Sequence, residues 1–150
     1  MCLGLLAISV QAQHTLSIDA LLNEDTQTLS ITQKITFVND SNTALSEIYL
    51  LDWANSFSSK TTPLAERFAE NFNSSFHFEK DENRGRTTIE FIKNKQNETL
   101  SWHREKGDDI IKISLKEALA PSAQIEINLA YTIKVPNDKY TRYGVSKNGD

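Results

Sequence analysis

The feature that most limits what this chain can fold into is the period of its apolar residues. From Gln124 to Val135 they occupy every second position: Ile125, Ile127, Leu129, Tyr131, Ile133 and Val135. Side chains of an extended strand point alternately to opposite faces, so this run predicts a strand with one face in a core. The same period appears near the start. Leu16, Ile18 and Ala20 share one face, Asn23-Glu24-Asp25 supplies turn chemistry, and Leu29, Ile31, Ile35 and Phe37 then alternate with Thr28, Ser30, Thr32, Lys34 and Thr36. That pattern predicts a hairpin with an inward apolar face.

Asn39-Asp40-Ser41-Asn42 breaks the pattern, and Leu45 to Trp53 is then apolar on both parities, as expected of a central strand covered on two sides. Further strands are predicted at Thr87 to Ile92, Thr99 to Arg104 and Asp109 to Leu115, separated by connections such as Lys93-Asn94-Lys95-Gln96-Asn97 and Ala120-Pro121-Ser122. The period changes once. Thr62 suits a helix cap, Pro63 the first helical position, and Leu64, Phe68 and Phe72 recur four apart beside Ala65 and Ala69, which predicts one short amphipathic helix near residues 62–72. Short strands, turn signals and a single helix favour an all-β antiparallel sandwich over a parallel α/β sheet.

A chain of 150 residues with 39% hydrophobic content suffices for one domain with its own core. The net charge of -4, with both signs interspersed, offers no basic stripe for phosphates and argues against a nucleic-acid partner. Cys2 is the single cysteine, so no internal disulfide framework exists. It stands in the apolar run Cys2 to Val10, too short to cross a bilayer and followed by the small-residue pattern Val10-Gln11-Ala12.

Residues 1–13 therefore read as a signal-peptide remnant cut after Ala12 or Gln13, the alternative being a buried first strand. No Lys or Arg precedes Lys34, so Met1 reads as an internal start of a longer leader. The expectation is an exported protein, periplasmic, cell-surface or extracellular, with no membrane span after cleavage. Residues 14–150 read as the mature domain, and Asp138 to Gly144 reads as the start of further structure, at a truncation or a domain boundary.

The chemistry-bearing residues do not assemble into an enzyme motif. A thermolysin-type zinc site needs His-Glu-x-x-His on a helix, and none of His14, His77 or His103 begins one. His77-Phe78-Glu79 and His103-Arg104-Glu105 each place a histidine and an acid on one strand face, and both read as exposed polar pairs. No Gly-x-Ser-x-Gly elbow occurs, the glycines are isolated, and Asp81-Glu82 and Asp108-Asp109 lack the ligand spacing of a calcium loop. Trp53, Phe57, Trp102 and Tyr131 fit either a sugar-stacking platform or a core, and the position of Trp53 at the end of an apolar run favours core. The sequons at Asn39, Asn73 and Asn97 fall in predicted loops. No catalytic, cofactor-binding or metal residue is assigned within the chain.

Ile35-Thr36-Phe37-Val38-Asn39-Asp40-Ser41 followed by Leu45-Ser46-Glu47-Ile48-Tyr49-Leu50-Leu51-Asp52-Trp53-Ala54-Asn55-Ser56-Phe57 resembles the N-terminal domain of the aminopeptidase-N-like zinc metallopeptidases, bacterial branch. Thr61-Thr62-Pro63-Leu64-Ala65-Glu66-Arg67 is similar to the helix-starting segment of that branch. Ile111 to Leu115, Leu119-Ala120-Pro121 and Ile125 to Tyr131 are similar to its later strands. The match runs from His14 to Gly144. The chain departs from the family in having Pro121-Ser122 where Pro-Gly is usual, and the Gly-x-Met-Glu-Asn signature is missing.

The resemblance implies a saddle-like sandwich that packs against a downstream catalytic domain and helps wall its peptide-substrate cleft. Zinc and the general base would come from that later domain, with no cofactor in this chain. The implied domain-contact surface comprises Trp53, Asn55, Phe57, Arg67, Lys139, Tyr140, Arg142 and Tyr143. Rival readings from other classes are a stand-alone secreted sandwich binding glycan or protein, and an inert spacer or adhesion domain.

Overall fold

The computed structural model describes residues 14–105, 109–140 and 143–146. The elements are β1 (Thr15–Asn23), β2 (Thr28–Val38), β3 (Leu45–Leu51), a 3-10 turn (Trp53–Phe57), α1 (Pro63–Glu70), a second 3-10 turn (Asp81–Asn83), β4 (Arg86–Asn94), β5 (Ser101–Arg104), β6 (Ile110–Leu119) and β7 (Gln124–Lys134). They form two antiparallel sheets, a four-stranded one in the order β1-β2-β7-β4 and a three-stranded one in the order β3-β6-β5. The expected antiparallel sandwich with one short helix is the fold of the described residues. The leader at residues 1–13 lies outside them.

Between the sheets Ile35, Ile92, Ile127 and Leu129 meet Ile48, Ile111 and Ile113, closed at one edge by Leu100. Each fully buried aliphatic side chain contributes about 1.5–3 kcal/mol. β4 turns the corner into β5 through the Lys93–Thr99 bridge and the Leu100 N–H donating to Ile92 O. Its pairing with β7 shifts register between Ile89 and Phe91, so Thr87 and Ile89 face inward before the bulge and Ile92 after it.

Thr62 caps α1 as expected. Its hydroxyl accepts from the Ala65 N–H, with Pro63 at the first helical position. Leu64, Ala65 and Phe68 pack with Phe57 and Phe76 in a second, smaller core. Phe72 is a correction: the helix ends at Glu70, and Phe72 follows with φ 58° and its ring 98% exposed. The helical spacing stops meaning a shared face once the backbone leaves the helix.

β3 is also a correction. It is an edge strand, not a central one, and Tyr49 and Leu51 are exposed. Its second apolar parity lines the outer face, where the Tyr49 hydroxyl donates to Glu47 and Lys112 stands 5.8 Å from the Tyr49 ring. His77 lies in a turn rather than a strand. The side chains of His103 on β5 and of Glu105, just past its end, do meet, at 3.2 Å near the surface.

The corner between β2 and β3 is organised by Asn39, which is fully buried. Its amide donates to Thr43 O and Leu119 O, while its Oδ1 accepts from the Ser41 N–H and hydroxyl. The β6–β7 turn closes with the Ala123 N–H donating to Ala120 O, and Ser122 has φ 62°. A β-carbon is unfavourable at such an angle. Ser122→Gly is therefore expected to be stabilising by about 0.5–1 kcal/mol, net of the extra freedom glycine gives the unfolded chain. A rise in the urea midpoint at unchanged slope checks it, and a fall would show that the serine is preferred.

Candidate functional site

The sheets join at the β4–β5 corner, and β1 is the far edge strand of the larger sheet. Every residue of β1 is exposed. Its odd-numbered side chains Ser17, Asp19 and Leu21 share the outer face, whereas Leu16, Ile18 and Leu22 stand on the core-facing side yet are 63%, 55% and 56% exposed. The parity read from the sequence holds for β1, but no part of the second sheet covers it.

Between the sheets lies an open cleft of about 410 Å³, lined by side chains from every strand of the larger sheet, Leu16, Ile35, Ile133 and Ile89 among them, and on the other side by Leu50, Leu51, Trp53 and Ile111. Inside it the Tyr131 hydroxyl donates to Gln33 Oε1 at 2.8 Å. Burial, and then the charge of Asp52, raise the Tyr131 pKa.

A polar network at the end of the cleft joins the sheets. Asp52 accepts from the Thr87 hydroxyl of β4 at 2.7 Å and from the Arg104 guanidinium of β5, which also donates to Thr87 O at 3.0 Å. Asn55 Oδ1 accepts from the Thr87 N–H at 3.1 Å, and the Ser56 hydroxyl donates to Asp109 at 3.2 Å. The 3-10 turn after β3 supplies Asn55 and Ser56, which explains why polar residues there are buried.

Beside this network the C-terminal segment roofs the second core. Trp53 meets Phe57 edge-on at 5.1 Å and Tyr143 at 5.2 Å, while Tyr140 meets Phe76 edge-on at 4.9 Å. The segment is pinned by the Asn137–Val145 bridge and the Val145 N–H donating to Pro136 O. Gly144 allows the close pass, since a β-carbon there would sit 2.3 Å from Asp138 Cα.

Arg84 is 2% exposed and works from within. Its Nη2 donates to the carbonyls of Phe76, His77 and Glu79, and its guanidinium lies 4.6 Å from the centre of the Phe76 ring. Nε stands 3.2 Å from the exposed Asp81 carboxylate, an ion contact without hydrogen-bond alignment.

Glu79 accepts from the Tyr140 hydroxyl at 2.5 Å and from Asn83 at 2.8 Å, with Lys139 3.4 Å away. These donors, Tyr140 foremost, bring its pKa down to about 2, and burial together with the Glu79 hydrogen bond raises that of Tyr140. The folded state then holds the Glu79 proton less tightly than the unfolded chain. Its contribution to stability is complete above about pH 4.5 and is lost as pH falls through about 2. Glu79→Gln is expected to flatten that acid limb in urea titrations at successive pH values. An unchanged limb would remove Glu79 as its source.

Of the implied domain-contact residues, Asn55 and Phe57 are interior, at 6% and 0% exposure, and present nothing to a partner. Trp53, read from the sequence as core, is 45% exposed at the cleft rim. Arg67 and Lys139 are exposed, Tyr140 and Tyr143 half-buried, and Arg142 lies outside the described residues. Trp53, Phe57 and Tyr143 are brought together, whereas Trp102 and Tyr131 pack against the main core. The sequence reading missed the roles of Leu16, Ile18, Leu22 and Leu51 as uncovered apolar surface, and those of Asp52, Arg84 and Arg104 as buried polar anchors.

Among the described residues no group of three or more His, Cys, Asp or Glu side chains is placed to hold a metal ion. No helix among them is long and apolar enough to cross a membrane. No protein-family model matches the chain, and no curated protein matches it.

Proposed function

We propose that this chain is a non-catalytic N-terminal β-sandwich domain of an exported zinc aminopeptidase. It packs on the catalytic domain and helps wall the cleft that receives the peptide substrate. The observation that carries the packing role is uncovered apolar surface: Leu16, Leu51 and Trp53 stand exposed along one open cleft, and Ile18 and Leu22 continue the exposed core-facing row of β1. Apolar surface of that kind marks a contact with other polypeptide. The ordered resemblance of its segments to the aminopeptidase-N-like N-terminal domain names the partner, and zinc and the general base belong to that partner.

A glycan-binding module draws less support. The Trp53 ring is engaged by Phe57 and Tyr143, and Phe57 is buried, so these rings do not make a flat, free platform.

The test is to capture the native polypeptide with an antibody against this chain, weigh it, read its sequence past Asp150, and assay aminoacyl-anilide hydrolysis with and without a chelator. A mass well above 17.0 kDa, a His-Glu-x-x-His segment and chelator-sensitive hydrolysis are expected. A native species of that mass without hydrolysis overturns the reading.

A further inference from the structure

We infer that the cleft between the sheets binds a small uncharged molecule, an apolar body carrying one hydrogen-bond acceptor that pairs with the Gln33 amide. The inference goes beyond the proposed function, which uses the exposed rim of the cleft and the row of β1 rather than the cleft's interior.

The residue that points to a ligand is Gln33. It stands on the core-facing parity of β2, in a row that is otherwise Leu29, Ile31, Ile35 and Phe37. Tyr131 is the polar member of the corresponding row of β7, among Ile127, Leu129 and Ile133. The two side chains bond each other within the cleft, the Tyr131 hydroxyl donating to Gln33 Oε1 at 2.8 Å. Replacing both partners of such a bond by apolar groups of like shape is nearly neutral or stabilising, so stability alone does not call for the pair.

The bond also leaves capacity over. It uses the Tyr131 proton and the oxygen of the Gln33 amide, while among the described residues the Gln33 Nε2 has no partner. That nitrogen carries two donors, and a ligand must bring an acceptor to use them. The cleft's volume of about 410 Å³ lies within the range of about 300–1,000 Å³ usual for small-molecule sites, and its mainly apolar walls with a few placed polar groups are of the same kind.

Charge sets the ligand class. Asp52 is the one ionised side chain among the described residues lining the cleft, and its charge is already balanced by Arg104. An anion would meet Asp52 with no cationic side chain on the walls to hold it. A cation would leave water without an unpaired counter-charge to receive it. A molecule without net charge meets neither cost.

The test is fluorescence titration of the native polypeptide and of this 150-residue chain with Prodan, an uncharged naphthalene ketone whose emission moves to longer wavelength when its carbonyl accepts a hydrogen bond. Anilinonaphthalenesulfonate serves as the anionic comparison. Saturable binding of one Prodan per chain is expected, at least about 10-fold tighter than that of the sulfonate. Ala54 lines the cleft, and Ala54→Phe should weaken Prodan binding at least about 10-fold by occupying the space. Gln33→Leu/Tyr131→Phe removes the polar pair without orphaning either member. It should keep the urea midpoint, weaken Prodan about 3–10-fold and shift its bound emission to shorter wavelength; this variant decides alone where Ala54→Phe does not fold. Absence of saturable binding overturns the inference, as does binding that the folded variants leave unchanged or that the sulfonate matches. Prodan bound by this chain but excluded from a longer native polypeptide also overturns it, and leaves the packing role standing.

Discussion

Arg104→Ala is expected to lower the unfolding free energy by about 3–5 kcal/mol, the usual result of breaking a buried ion pair from one side. The Asp52 side chain is 7% exposed and Arg104 18%, so the carboxylate left behind has little access to water and, among the described residues, keeps the Thr87 hydroxyl as its side-chain donor. Thr87 O loses its Arg104 donor at the same stroke. Against a total stability of about 5–15 kcal/mol, a loss of that size threatens folding at body temperature.

Urea unfolding measures the loss. The Asp52→Ala/Arg104→Ala double variant should be less destabilised than the sum of the single ones, by about 1–3 kcal/mol. Additive effects within about 0.5 kcal/mol would show that the two side chains act independently.

Arg84→Leu is expected to cost about 3 kcal/mol, because carbonyls of Phe76, His77 and Glu79 lose a charged donor inside the protein. The loss should be local before it is global. The segment from Asn73 to Asn83 should become sensitive to proteolysis under conditions where the β7 amides stay protected. Arg84→Lys should recover part of the loss, since one ammonium reaches fewer of the three carbonyls and lacks the flat face that lies on Phe76. A loss below about 1 kcal/mol for the Leu variant would mean that water satisfies those carbonyls.

The parts of this fold legible in the sequence are those set by a residue's own backbone period. β7, the β1–β2 hairpin and the Thr62-capped helix follow from alternation, turn residues and a cap, all local properties. What local pattern does not encode is the neighbour. Leu45 to Trp53 is apolar on both parities because one parity enters the core while the other ends at an exposed edge and a cleft rim. The same composition would serve a central strand.

The bulge between Ile89 and Phe91 reverses which parity faces inward, and nothing in Ile89-Glu90-Phe91-Ile92 announces it. Asp52, Arg84 and Arg104 look like any solvated charges until the fold brings their partners from distant segments. The contact surface implied by the resemblance was mixed for the same reason: Trp53 and Phe57 lie four residues apart, yet one turn of 3-10 helix exposes the first and buries the second.

Asn39 carries a consequence for producing the protein. A glycosylating host reads Asn39-Asp40-Ser41 as an acceptor while the chain is still being threaded into the secretory pathway, before the β2–β3 corner has formed. A sugar on that nitrogen would take the place of its bonds to Thr43 and Leu119. Such a host would thus modify the very atom on which the corner depends, and because the Ser41 hydroxyl also bonds Asn39 Oδ1, a bacterial host is a sounder source of folded material than a chain with the sequon removed at Ser41.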